Sequence, residues 1–144
     1  MRRLRSIHWR DGFGEYLGFA LVIPLVFIFV FFMISTFQVT VAEEKLIYAS
    51  YRAGRAAITA DNEASARKNA QAVLEEIYHG NLSADANNLA PGMAAFQIEK
   101  ASWIKGNIVK VSVSQHVDTM LPGMSTIHKR CLGLMIEHST WYDN

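Results

Sequence analysis

The chain has 144 residues, 51% of them hydrophobic, one cysteine and a formal charge of +1. That length suits one small domain and not two, the lone Cys131 excludes an internal disulfide, and the absence of a basic face argues against nucleic acid as a partner. The apolar residues are concentrated near the N-terminus, so the two ends of the chain call for separate readings.

Residues 1–15 form a basic tail in which Arg2, Arg3, Arg5 and Arg10 outnumber Asp11 and Glu15. From Tyr16 to Ala42 no Asp, Glu, Lys, Arg or His occurs, and a helix of that length rises about 40 Å, enough to cross a bilayer. A cleaved secretory signal has a shorter apolar core followed by a small-residue cleavage site, whereas this run continues through VFIFVFFMISTF without one. The expectation is a retained transmembrane helix over 16–42 with the basic tail cytoplasmic and residues 43–144 outside, in the plasma membrane. Pro24 lies inside the run and is expected to bend the helix at most, because membrane helices tolerate the lost donor.

Beyond the membrane the helical period continues through Leu46, Ala49, Ala53, Ala57 and Ala60, with Ile47, Tyr51, Gly54 and Ile58 one position further round. Asp61-Asn62 marks either a fresh helix start or a bend. A second amphipathic helix follows over 63–79 through Ala66, Ala70, Val73, Leu74 and Ile77, and Gly80-Asn81 ends it. Residues 43–81 thus read as a helical stalk outside the membrane. Its small side chains at Ala49, Ala53, Gly54 and Ala57 either admit another helix at close range or reflect helix propensity alone.

After the polar stretch SADANNLAPG the period changes to two, so that 82–144 reads as a small sheet domain. The run AAFQIEKASWI alternates around Phe96 and Ile98, and NIVKVSVSQHV sets Val109, Val111, Val113 and Val117 against Lys110, Ser112, Ser114 and His116. Lys105-Gly106-Asn107 predicts a tight turn joining these two strands into a hairpin, and Pro122-Gly123 a type II turn. A third strand follows in RCLGLMIEHSTW, with Leu132, Leu134 and Ile136 on one face. The fold class expected is α+β: a long transmembrane helix continuing outward, with the outer helix packed through Val73, Leu74 and Ile77 on a three-stranded antiparallel sheet.

Catalysis finds little support in this pattern. Ser112 and Ser114 alternate with core valines, lack a nucleophile turn, and read as the solvent face of a strand. His116, His128 and His138 are not spaced as a ligand pair, Glu75-Glu76 reads as a solvated helix edge, and Cys131 as a small half-buried strand residue. Neither an enzyme nor a cofactor is expected.

The layout resembles a family, the TadE/TadF-like pseudopilins of tight-adherence (Flp-type) pili within the type IV pilin group. Phe19-Ala20-Leu21-Val22-Ile23-Pro24-Leu25 looks like the Phe-Ala-Leu-Val-x-Pro-Leu run of that family's membrane helix. Ala49-Ser50-Tyr51-Arg52-Ala53-Gly54-Arg55-Ala56-Ala57 is similar to the Ala-Ala-Arg-x-Gly-Ala-Arg region that follows it, and the IVKVSV strand and Leu-Pro-Gly turn match the outer domain. The resemblance implies a pilin-like fold and a minor pseudopilin of a pilus, or of a related secretion or DNA-uptake machine. Its partners would be other pilin-like subunits, an assembly platform, membrane lipid and a prepilin peptidase. It also implies a role for Glu15: a lone carboxylate in hydrocarbon costs about 2.5 kcal/mol or more, and a neighbouring subunit's new amino terminus would relieve that cost. Cleavage would fall at Gly12 or Gly14. The chain departs from the family in carrying Arg10 five residues before Glu15 and Gly18 where these proteins carry a glutamate. Glu15 alternatively lies hydrated at the cytoplasmic interface near Arg10. A different functional class also fits the layout, a single-span accessory or sensor protein whose outer domain binds a ligand or a partner.

Overall fold

A computed structural model describes residues 9–99, 103–121 and 123–137. The basic cluster Arg2, Arg3 and Arg5, the proline of the expected type II turn and His138 lie outside the described residues. Helix α1 runs unbroken from Trp9 to Ile58, and α2 spans Glu63–Tyr78. Four strands follow: β1 Leu82–Ser83, β2 Ala94–Ile98, β3 Ile108–Val117 and β4 Thr126–Met135.

Fifty residues of helix extend about 75 Å. The length survives Pro24 because the proline removes a single donor, and the surrounding Leu, Phe, Val and Ile side chains carry no competing polar group that would favour another backbone course. The end of α1 at Ile58 comes with a turn in which the Ala60 amide donates to the Ala57 carbonyl. Asn62 then caps α2, its side-chain oxygen accepting from the Ser65 amide at 2.8 Å, so the Asp61-Asn62 signal is a true helix start.

At the other end of α2 the chain turns through His79 at φ 53° and Gly80 at φ 81°. His79 occupies a left-handed position that glycine fills more cheaply. His79→Gly is therefore expected to stabilise the outer domain by about 0.5–1 kcal/mol, the relief of left-handed strain outweighing the extra freedom of the unfolded chain. Thermal unfolding of the full chain in micelles checks this, and a lowered midpoint would contradict it.

The sheet has the order β1-β2-β3-β4, and it corrects the expected three antiparallel strands in two respects. A fourth strand, β1, comes from the polar stretch and pairs parallel to β2 through Leu82–Ala94 and Ser83–Ala95. The predicted hairpin forms, β2 and β3 pairing antiparallel from Ala94–Gln115 to Ile98–Val111, but Lys105-Gly106-Asn107 does not close it as a tight turn, because a longer connection separates Ile98 from Ile108. Gly106 does turn at φ 88°, but there it brings the start of β3 beside the end of β4, its amide donating to the Ile136 carbonyl. Trp103, within that connection, is buried and donates its indole N–H to the Ala60 carbonyl at 3.0 Å, which ties the sheet to the helical corner.

Both helices line one face of the sheet, where α2 alone was expected. One core joins Leu46, Ala49, Ala53 and Ala57 of α1, Ala66, Ala70, Leu74 and Tyr78 of α2, and Phe96, Val109, Val111 and Val113 of the sheet. On α2 the fully covered row is thus Ala66-Ala70-Leu74-Tyr78, with Val73 and Ile77 half-buried at its margin. Leu132 and Leu134 on β4, and Ile136 just past its end, turn inward as the alternation predicts.

The second sheet face is covered in part, around β2 and the middle of β3. Ser112 and Ser114, expected in solvent, are buried. The loop between β1 and β2 folds back onto this face, where Ala86 and Leu89 cluster with Ala95, the residue paired with Ser114. Cys131 departs the other way, being exposed on β4 rather than half-buried.

Candidate functional site

The long helix divides into two stretches with different surroundings. From Tyr16 to Ile34 every described side chain is exposed, among them Phe19, Leu25, Phe29 and Phe32. Burial begins at Ser35 and recurs at Leu46, Ala49, Ala53 and Ala57, always on the side that meets α2 and the sheet. The charge-free run of 16–42 therefore has two parts, since Gln38, Val39 and Ala42 are already half-covered by the outer domain. By length and composition α1 can cross a membrane. Its continuously uncovered stretch 16–34 rises about 28 Å, close to the thickness of a hydrocarbon core.

The expected packing residues sit where these two stretches allow. Ala49, Ala53 and Ala57 are fully buried, but the helix they admit is α2 of the same chain. Gly54 lies close to the sheet: a Cβ there would meet the end of the Leu134 side chain, at Cδ1. Gly12, Gly14 and Glu15 lie in the first turns of α1, about 50 Å along the axis from this cluster, and the side chain of Glu15 is not among those described. Pro24 lies in the uncovered stretch. The nominated residues are thus not one site but three separate positions on one rod.

Along the side of α1 turned away from the outer domain the structure reveals a feature that the sequence reading missed. Phe37, Val41, Tyr48 and Tyr51 recur at spacings of four, seven and three residues, which keeps them on one stripe, and all are exposed. Ile47 borders it. Tyr51 had been grouped with Gly54 and Ile58, yet those two are buried while Tyr51 and Ile47 are not. The periodicity was visible; which side the domain would take was not. Arg52 braces the stripe, its guanidinium donating to the Tyr48 hydroxyl at 2.8 Å. Below it Phe29, Phe32, Met33, Thr36, Phe37 and Thr40 bound a shallow apolar groove of about 410 Å³.

Polar groups elsewhere serve the fold. Tyr78 donates its hydroxyl to Gln115 Oε1 at 2.8 Å beneath both helices, and the Lys45 ammonium lies 4.4 Å over its ring. Burial pushes the Tyr78 hydroxyl up to about 12. His116 joins β3 to the covering loop through its Nδ1, which donates to the Leu89 carbonyl, and to Ser125 Oγ at 2.9 Å. His128 pairs with Glu43 at 3.3 Å across a cleft of about 180 Å³ between α1 and β4. Glu75 and Glu76 are exposed. Among the described residues no group of three His, Cys, Asp or Glu side chains is placed to hold a metal ion.

No family model matches this chain, and neither a curated protein nor a solved structure is detectably similar to it.

Proposed function

We propose that this chain is a membrane-anchored structural subunit that assembles side by side with similar single-span chains, as a minor pseudopilin of a bacterial type IV-like (tight-adherence) pilus or of a related secretion or DNA-uptake machine. The observation that carries the reading is the apolar stripe Phe37-Val41-Tyr48-Tyr51, which prolongs the uncovered surface of α1 beyond the length a bilayer would hide. An anchor that only tethers a domain has no use for apolar side chains above the membrane. A rod that packs against other rods does, because a continuous apolar face on α1 lets helices associate from lipid into water.

In this reading the basic tail faces the cytoplasm, the sheet domain lies on the outer side, and Glu15 supplies the charge that a neighbouring subunit's amino terminus neutralises. The chain performs no reaction. The likeness to TadE/TadF-like proteins in the Phe19–Leu25 and Ala49–Ala57 segments supports the same assignment.

Glu15→Gln tests it. The substitution is expected to leave membrane insertion intact, since an uncharged span inserts more easily, while cutting co-purification of partner single-span chains roughly tenfold, the effect of about 1.4 kcal/mol lost from the intersubunit pair. The mature N-terminal peptide from the native host should then begin at Phe13 or Glu15. An intact Met1 terminus together with unchanged co-purification would remove the pseudopilin reading.

A further inference from the structure

We propose that the loop joining β3 to β4 is a second membrane contact, its Met120–Leu121 tip seated in the lipid headgroup layer beside the point where α1 leaves the bilayer. The inference rests on the reading of α1 as a membrane span and extends it to the outer domain.

Three observations place the loop at that height. The continuously uncovered stretch of α1 ends at Ile34, and the about 28 Å of helix from Tyr16 to that point matches a hydrocarbon core. The Met120 amide donates to Gln38 Oε1 at 3.3 Å, which pins the loop to α1 four residues above that end. Ser35, three residues before Gln38 and so on the same side of the helix, is fully covered, while every side chain described from Tyr16 to Ile34 is exposed. The β3–β4 loop is therefore the lowest part of the outer domain along the rod.

Its chemistry suits lipid rather than water. Met120 is 62% exposed, Leu121 and Met124 are half-exposed, and no Asp, Glu, Lys or Arg occurs between Asp118 and Lys129. The turn is held from within: the Thr119 hydroxyl and the Met124 amide both donate to the Leu121 carbonyl, at 3.1 and 3.2 Å. The Leu121 carbonyl is thereby satisfied within the loop and the Met120 amide by Gln38, which lowers the cost of bringing the tip into the interface. The unbranched Met120 side chain projects from this turn at the depth where interfacial segments bury apolar atoms, and α1 holds it there permanently. The consequence is orientational. With two points of contact α1 and the domain packed on it cannot rotate together relative to the membrane, and the Tyr48–Tyr51 side of the helix is presented in a fixed direction.

The test uses the full chain carrying Cys131→Ser and one new cysteine, labelled with a polarity-sensitive fluorophore and reconstituted into phosphatidylcholine–phosphatidylglycerol vesicles. Met120→Cys reports the loop, Leu25→Cys the mid-span and Ser65→Cys the far end of the domain. Lipids brominated high in the acyl chain are expected to quench about half of the emission at position 120, as a side chain about 5–10 Å into the interface requires, and to leave position 65 unchanged. Lipids brominated deep in the chain should quench position 25. Quenching at 25 with none at 120 would overturn the loop contact and leave the span standing. No quenching at 25 would overturn the span and the loop contact together. Thr119→Cys, labelled in the same way, should repeat the result at 120; a bright, unquenched probe there would count against the proposal.

Discussion

Leu74→Ala is expected to destabilise the outer domain by about 2–5 kcal/mol. Leu74 is fully buried in the core where α1, α2 and the sheet meet. It shares that core with Leu46, Ala49, Ala53 and Ala57 of α1, and the three alanines' short side chains cannot extend into the space left behind, so much of the cavity would persist. A drop of that size lowers a midpoint by about 10 °C or more in a domain of roughly a hundred residues. Thermal unfolding of the full chain in micelles, followed by near-ultraviolet circular dichroism, gives the value. A loss under 1 kcal/mol would mean that the helices do not pack on the sheet as described.

Gly54→Val is expected to cost about 2 kcal/mol, whereas Gly54→Ala should change stability by less than about 1 kcal/mol. The added Cβ meets only the end of the Leu134 side chain, which can rotate aside, and the gain in helix propensity offsets that adjustment. Valine adds two methyl groups with one preferred rotamer in a helix, so α1 and β4 must separate. The same unfolding measurement on both variants decides the matter. Equal effects would show that Gly54 is present for backbone flexibility and not for closeness to the sheet.

The elements that the sequence made legible are those in which local chemistry and tertiary packing agree. Asn62 and Gly80 mark the ends of α2 because the backbone groups there need a capping oxygen and a left-handed residue whatever the rest of the chain does. The valines of β3 and the leucines of β4 alternate because one sheet face meets the helices. What stayed hidden depends on distant segments. A two-residue strand such as β1 is too short to show a period, and its partner lies across a loop. Ser112 and Ser114 look solvated because nothing in the strand announces that the loop carrying Ala86 and Leu89 folds back onto that face beside Ala95. The Ala49-Ala53-Ala57 row announced a close helix, yet nothing local distinguishes α2 from another chain. Of the candidate site, Pro24 and Gly54 could be named from sequence, while the outward stripe needed the domain in place to show which face was free.

The central claim, assembly along that stripe, is tested most directly by cross-linking in native membranes. Single cysteines replacing Val41, Tyr48 and Tyr51, each with Cys131→Ser, would be treated with a short bismaleimide, alongside references at Glu43 and Lys68, both exposed and off the stripe. The account predicts strong adducts to a neighbouring chain at positions 41, 48 and 51 and weak ones at 43 and 68. Equal yields at all five positions, or none at 48 and 51, would contradict it.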